Sequence, residues 1–215
     1  MKRLVLPRLY VILDAALLTV PEIEFAQKLA GAGVRLLQYR NKSASSRELF
    51  ESASRLSSFL VPSGVSFLVN DRADVASLAG ASGVHVGQED LGVEEARSVI
   101  GVGKLVGVST HNLEQFERAT ETSADYIAVG PAYSTSTKAN PDPVVGIDFI
   151  RTVRALTNKP IVAIGGITLD RAAEVIGAGA DSVAVISDIL LAPDPGKRAR
   201  QYIELLEAAD HAAAV

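Results

Sequence analysis

The sequence predicts an α/β protein folded as a single (β/α)8 TIM barrel, and three observations carry that expectation. Short runs of Val, Ile and Leu alternate with longer amphipathic segments along the whole chain. The apolar runs are continuous rather than alternating, which suits strands buried on both faces of a parallel sheet. Eight such units follow one another without a linker or a shift in composition, and eight close into a barrel more readily than they form an open sheet. One catalytic domain over 1–215 is therefore expected.

In chain order, the first strand is expected at 9–13. The start, MKRLVLPRLYVILD, has the outline of a signal peptide, but Pro7, Arg8 and Asp14 interrupt it, so it reads as a core strand. A helix over 21–32 closes on Gly-Ala-Gly punctuation before a strand at 36–39. A helix over 46–59 leads to the strand 65–69, and a helix over 74–81 leads to the strand 84–86. Both strands are Val-rich runs too short for helices. The helix 93–100 precedes the strand 105–108, and Asn112 signs the start of a helix over 113–122 before the strand 126–129. The helix 147–156, the strand 161–164, a helix over 170–176 with Thr168 as its cap, the strand 182–186 and the helix 197–208 complete the series. The terminal HAAAV is expected to fray.

With 215 residues, 48% of them hydrophobic, the chain can bury a sizeable core. Its mean hydropathy is +0.23, which excludes an intrinsically disordered chain. Lys and Arg number 21 against 25 Asp and Glu, a net charge of -4 with no basic run, so neither nucleic acid nor a membrane surface is expected as a partner. No charge-free apolar span reaches the ~20 residues a transmembrane helix needs. The absence of cysteine excludes disulfides and thiolate metal sites and fits a cytoplasmic location.

Catalytic groups of a parallel barrel sit on the loops after the strands. Here those loops are QYRNK (Gln38, Tyr39, Arg40, Asn41, Lys42), Asn70–Asp71, Gln88 to Asp90, Ser109 to His111, the long loop 130–146, Gly165–Gly166 and Ser187–Asp188. If the third and fourth strands are parallel neighbours, their ends lie about 5 Å apart, and Asp71 and Asp90 can converge on a hard cation such as Mg2+. The plain alternative is that both are loop caps. Hydroxyls, backbone N–H groups and lysines suit phosphate oxygens, so the face looks built for anionic phosphorylated ligands. Gly166 and Ser187 lie after strands seven and eight, where barrels often hold a phosphate; the alternative for the glycine pair is a mere strand-end turn. The loop 130–146 is longer than usual and carries Thr135, Ser136, Thr137 and Lys138, which favours binding over a solvated insertion.

The histidines read as supporting residues. His85 sits between two valines and is expected to be a satisfied core histidine; His111 is expected to cap the next helix or to orient Ser109. No Ser–His–Asp arrangement, His-rich metal spacing or dinucleotide fingerprint is visible.

QYRNK, VNDRADVA, GVHVGQEDL, GVSTH, ADYIAVGPAYSTSTK, AIGGI and VISDI occur in the order in which they appear in the thiamine-phosphate synthase family, and the chain resembles that family over essentially its whole length. The resemblance implies an enzyme that joins a hydroxymethylpyrimidine diphosphate to a thiazole phosphate, giving thiamine phosphate and diphosphate. It implies that Gln38, Arg40, Lys42, Asn70, Ser109 and Lys138 hold the pyrimidine diphosphate, with Lys138, Ser109 and Arg40 as catalytic groups. Asp71 and Asp90 would bind Mg2+, and Thr135, Thr137, Gly166, Ile186 and Ser187 would hold the thiazole phosphate. Tyr39, Asn41 and Ser136 join the substrate-binding set as neighbours in the same motifs. Asn41 departs from the family, whose members often carry an acidic residue there. The family is thought to pass through a dissociated pyrimidine cation, so water must be excluded. The partners implied are the two small substrates, with a homo-oligomer compatible.

Two other readings share the barrel. A thiazole tautomerase would bind thiazole phosphates, but it has no use for the Asp71/Asp90 pair and Lys138. A non-catalytic phosphate-binding barrel would not be expected to keep them.

Overall fold

A computed structural model of the chain describes residues 4–135 and 142–213. Its strands are β1 (Leu9–Asp14), β2 (Leu36–Arg40), β3 (Ser66–Asn70), β4 (Gly83–Val86), β5 (Leu105–Thr110), β6 (Tyr126–Val129), β7 (Ile161–Ile164) and β8 (Ser182–Val185). They pair in parallel, each with the next, and β8 returns to β1 to close the barrel. The helices are α1 (Glu22–Gly31), α2 (Ser46–Leu60), α3 (Ala73–Leu78), α4 (Val93–Ile100), α5 (Leu113–Glu121), α6 (Gly146–Arg154), α7 (Leu169–Gly177), α8 (Ser187–Leu190) and α9 (Pro195–Ala213).

Two cores follow from the period of two along each strand. Residues such as Val11, Leu37, Tyr39, Val69, Val84 and Val129 turn outward and pack against the helices in the larger core. Tyr10, Ile12, Leu36, Leu68, Tyr126, Ala128, Val162 and Ala184 turn inward and fill the barrel. Continuous apolar strands thus serve two packing layers at once. The same alternation decides which strand-end residues reach the barrel mouth.

Helix boundaries follow local chemistry. Ser45 and Glu48 form a reciprocal capping box at the start of α2, and the Asn112 side chain accepts from Gln115 N at 2.9 Å, as its position predicts. Thr168 stands at the cap of α7 but its side chain makes no capping bond, so that expectation is corrected. Gly33 and Gly179 adopt φ of 102° and 109° where the chain leaves a helix for a strand, as the punctuation predicts. Two short elements go beyond the sequence pattern: a 3-10 turn at Ala15–Leu17, capped by Asp14, and α8, which takes over where the apolar run predicts β8 to continue through Ile186. α9 is described as far as Ala213.

At the opposite, N-terminal rim the same clamp occurs twice. Asp125 accepts from Val106 N at 2.7 Å and pairs with Arg97 of α4; Asp181 accepts from Ile161 N at 2.8 Å and pairs with Arg154 of α6. These bonds tie the starts of strands to helices and leave the other rim free for chemistry. Among the described residues, no helix is long and apolar enough to cross a membrane.

Candidate active site

β1 and β2 end side by side, with Asp14 in register with Arg40. Asp14 is buried and pairs with the Arg40 guanidinium, so Arg40 is held at the mouth by a carboxylate whose other oxygen caps Ala16 N at 3.1 Å. Gln38 lies one inward position deeper and is buried. Asn70 ends β3 opposite His85 of β4.

Asp71 follows β3 with φ 63°, and its backbone N–H donates to His85 O at 2.7 Å. That bond extends the β3–β4 ladder by one residue and turns the carboxylate toward the β4 loop. There Asp90 is fixed by accepting from Gly87 N at 2.7 Å. The two carboxylates interact directly. Burial first, and then the neighbouring Asp90, push the Asp71 carboxyl above its ordinary range, although Lys42 pulls the other way. Lys42 pairs with Asp71 from the β2 loop. An ammonium thus balances a carboxylate pair that repels itself, and this donor set fits a small hard cation. Among the described residues, no group of three or more His, Cys, Asp or Glu is placed to hold a metal. Two carboxylates completed by water and ligand oxygens is the usual arrangement for Mg2+.

Ser109 stands at the end of β5, beside Ala128 of β6. His85 meets its Oγ through Nε2 at 2.8 Å and meets Tyr126 Oη through Nδ1 at 2.9 Å, so the expected satisfied core histidine is found. Burial holds the imidazole down at about 4, hence neutral. His111 departs from its expected part as a helix cap or as a partner of Ser109. It joins the two ends of the β6 loop, with Nδ1 2.7 Å from Gly130 O and Nε2 3.5 Å from Asp142 Oδ2.

The β6 loop leaves along β7: Ala132 N donates to Ile164 O at 2.8 Å and Tyr133 N to Gly165 O at 3.0 Å. A Cβ on Gly165 would come within 2.5 Å of Pro131 Cβ, and one on Gly166 within 2.9 Å of Tyr133 Cβ. The glycine pair is therefore required by backbone packing as well as by any ligand. Arg171 donates to Gly166 O at 2.9 Å and lies 4.5 Å over the Tyr133 ring. Thr135 ends the described part of this loop; Ser136, Thr137 and Lys138 lie outside the described residues. Ile186 and Ser187 form the β8–α8 junction next to the β7 end.

Two residues of QYRNK are not brought to the mouth. Tyr39 alternates with Gln38 and Arg40, so its ring packs in the outer core, and Asn41 donates to Tyr39 Oη at 3.2 Å while accepting from Ser43 N and Ala44 N. Both shape the β2 loop from outside the barrel. Conversely, Asp14, Tyr10 and Tyr126 belong to the site's support, and only Asp14, as a strand-end carboxylate, carried a signal in the sequence.

Gly107 makes that support possible. It pairs with His85 on one side and Tyr126 on the other, and a Cβ there would overlap the Tyr126 ring. Gly107→Ala is expected to destabilise the fold by about 1–3 kcal/mol through overpacking. A denaturation midpoint equal to that of the parent would show instead that Tyr126 gives way freely.

A closed parallel barrel that gathers cations, a carboxylate pair and a fixed hydroxyl on its strand-end rim is the architecture of a (β/α)8 enzyme acting on anionic small molecules. Residues 9–189 match the family model described as thiamine monophosphate synthase, and the chain belongs to that family. It is 52% identical over 208 residues to a thiamine-phosphate synthase of Koribacter versatilis, covering 94% of this chain and 96% of the relative. It is 44% identical over 200 residues to one of Chloroflexus aurantiacus, covering 93% and 92%. Among solved structures, thiamine phosphate pyrophosphorylase from Pyrococcus furiosus superposes with a TM-score of 0.85 at 33% identity, covering 94% of this chain and 96% of that one. The membership makes this an enzyme of the transferase class.

Proposed function

We propose that the protein joins 4-amino-2-methyl-5-hydroxymethylpyrimidine diphosphate to 4-methyl-5-(2-phosphooxyethyl)thiazole, giving thiamine phosphate and diphosphate with Mg2+ as cofactor. The observation that carries this reading is the Asp71–Asp90 pair beside Lys42, one strand from Arg40: a cation site next to positive charge, as a leaving diphosphate needs. A tautomerase of thiazoles would have no use for it.

In this reading the carbon–oxygen bond to diphosphate breaks first, the bonding pair leaving with the diphosphate, and the thiazole nitrogen then donates its lone pair to the pyrimidine methylene cation. The protein needs no nucleophile of its own. Asp71 and Asp90 would hold Mg2+, which would supply charge neutralisation for the diphosphate. Arg40, oriented by Asp14, and Lys42 would hold the diphosphate oxygens. Lys138 acts on the same group, and Gln38, Asn70 and Ser109 orient the pyrimidine. Thr135, Ser136, Thr137, Gly166, Ile186 and Ser187 would carry the thiazole phosphate. Tyr39 and Asn41 keep a supporting part through the loop they shape. A chain without cysteine suits the reducing cytoplasm.

Purified protein given both substrates and Mg2+ is expected to form thiamine phosphate and diphosphate in equal amounts, and to stop when the metal is chelated. Protein that binds the thiazole phosphate yet yields no coupled product under these conditions would overturn the assignment in favour of a binding barrel.

A further inference from the structure

Five polar side chains cross the barrel interior in one line. Gln38 Nε2 donates to Tyr10 Oη at 2.6 Å, Tyr10 Oη meets Tyr126 Oη at 3.0 Å, Tyr126 Oη meets His85 Nδ1 at 2.9 Å, and His85 Nε2 meets Ser109 Oγ at 2.8 Å. The two ends are residues assigned above to the pyrimidine substrate. The middle three take no part in the proposed chemistry, and they lie in an interior otherwise filled by Leu, Ile, Val and Ala. A buried polar chain of this kind is costly unless every member is satisfied.

Counting hydrogens gives the line a direction. The Gln38 amide donates to Tyr10, so the Tyr10 proton goes to Tyr126 and the Tyr126 proton goes to His85 Nδ1. A neutral imidazole that accepts at Nδ1 carries its hydrogen on Nε2 and donates it to Ser109. Each donor then meets one acceptor. Reversing any single member would set a buried donor against a donor or an acceptor against an acceptor, so the line changes only as a whole. Ser109 accepts within the line, which leaves its own proton for the mouth of the barrel. Gln38 keeps its carbonyl oxygen and its second amide hydrogen, a pair that complements the amino group and adjacent ring nitrogen of an aminopyrimidine.

The backbone is arranged for this contact. Gly107 of β5 stands in register between His85 of β4 and Tyr126 of β6, and its missing side chain lets the two rings stack across it, 5.6 Å apart and 21° from parallel. Tyr10 meets Tyr126 edge-on at 6.0 Å.

We propose that Tyr10, Tyr126 and His85 are positioning residues that couple Gln38 to Ser109, so that these two recognise the pyrimidine diphosphate as one unit, with the Ser109 proton directed to that substrate. The proposal rests on the assignment of Gln38 and Ser109 to that substrate.

Tyr126→Phe keeps the ring and removes the central link; Tyr10→Phe breaks the line one step away and serves if the first variant folds poorly. Either is expected to lower kcat/KM for the pyrimidine diphosphate on the order of tenfold, the weight of one or two buried hydrogen bonds, while KM for the thiazole phosphate stays unchanged. The decisive measurement is a double-mutant cycle. Gln38→Ala and Ser109→Ala should combine to much less than the product of their separate losses in the parent, and to the full product in Tyr126→Phe. Full multiplication in both backgrounds would reduce the line to a packing feature. Nitrogen-15 NMR of the parent protein should show the Nε2–H tautomer at His85, and the Nδ1–H tautomer would overturn the stated direction. If the single variants leave pyrimidine diphosphate kinetics untouched, the substrate assignment falls and the coupling falls with it; normal single losses that multiply overturn the coupling alone.

Discussion

Asp71→Asn and Asp90→Asn are each expected to lower turnover on the order of 10²–10³ at limiting Mg2+ while leaving the fold intact. Each change removes one negative charge from a pair that has only two, so the remaining carboxylate would have to hold the proposed cation alone. Asn is the right probe at both positions. Asp71 sits at φ 63°, a conformation that Asn tolerates and that would strain most other side chains. In Asp90→Asn the amide oxygen can still accept from Gly87 N, which keeps the β4 loop in place. The effect on stability has the opposite sign from the usual loss of an ion pair. Burial and Asp90 raise the Asp71 carboxyl, so its contribution is fully present below the ordinary carboxylate range and is lost as pH rises through the raised value. At neutral pH the metal-free carboxylate is a burden that Asn relieves. The Lys42 partner is too exposed to offset this by much. Thermal melts at neutral pH should therefore show no loss, and the difference between the variant and the parent should shrink on acidification. Near-parental turnover of both variants at limiting Mg2+ would remove the metal assignment.

The barrel was legible because packing on both faces of each strand forces continuous apolar runs, and eight of them recur along the chain between amphipathic segments. The observed strands extend beyond several of those runs, through Asp14, Arg40, Asn70 and Thr110, because the ladder continues into the polar residues of the mouth. The site was legible as a set of polar strand ends, but contiguity in the sequence does not say which side of the sheet a residue faces. QYRNK reads as one motif, yet the strand's period of two sends Gln38 and Arg40 inward and Tyr39 outward. That division was available from the alternation alone. The support of the site was not. Tyr10 and Tyr126 read as apolar members of strands, and only closure of the barrel brings residues 116 positions apart within 3.0 Å. Gly107 likewise reads as a weak point in a strand until the ring it admits is seen.

Lys138→Ala is expected to slow the release of diphosphate on the order of 10²–10³ in a single turnover, with much less effect on thiazole phosphate affinity. Lys138 itself lies outside the described residues, but both ends of its loop are described, and they are well held. On one side Ala132 and Tyr133 bond to the β7 end, with Arg171 and Glu174 fixing the Tyr133 ring. On the other side Val145 N donates to Pro131 O at 2.9 Å, and His111 reaches both Gly130 and Asp142. The chain up to Thr135 thus runs beside Gly166, where the thiazole phosphate is proposed to bind, and proximity alone would give Lys138 to that ligand. The charge argument separates the two. The thiazole phosphate keeps the same charge throughout the reaction, so a lysine on it would strengthen ground state and transition state alike and would appear in affinity. The diphosphate gains negative charge only as its bond to carbon breaks, so a lysine on it appears in the rate of that step. Single-turnover rates at saturating substrate and thiazole phosphate affinity, measured side by side for Lys138→Ala, distinguish these cases. A collapse in affinity with a normal single-turnover rate would move Lys138 to the thiazole phosphate and leave the diphosphate to Arg40, Lys42 and the metal.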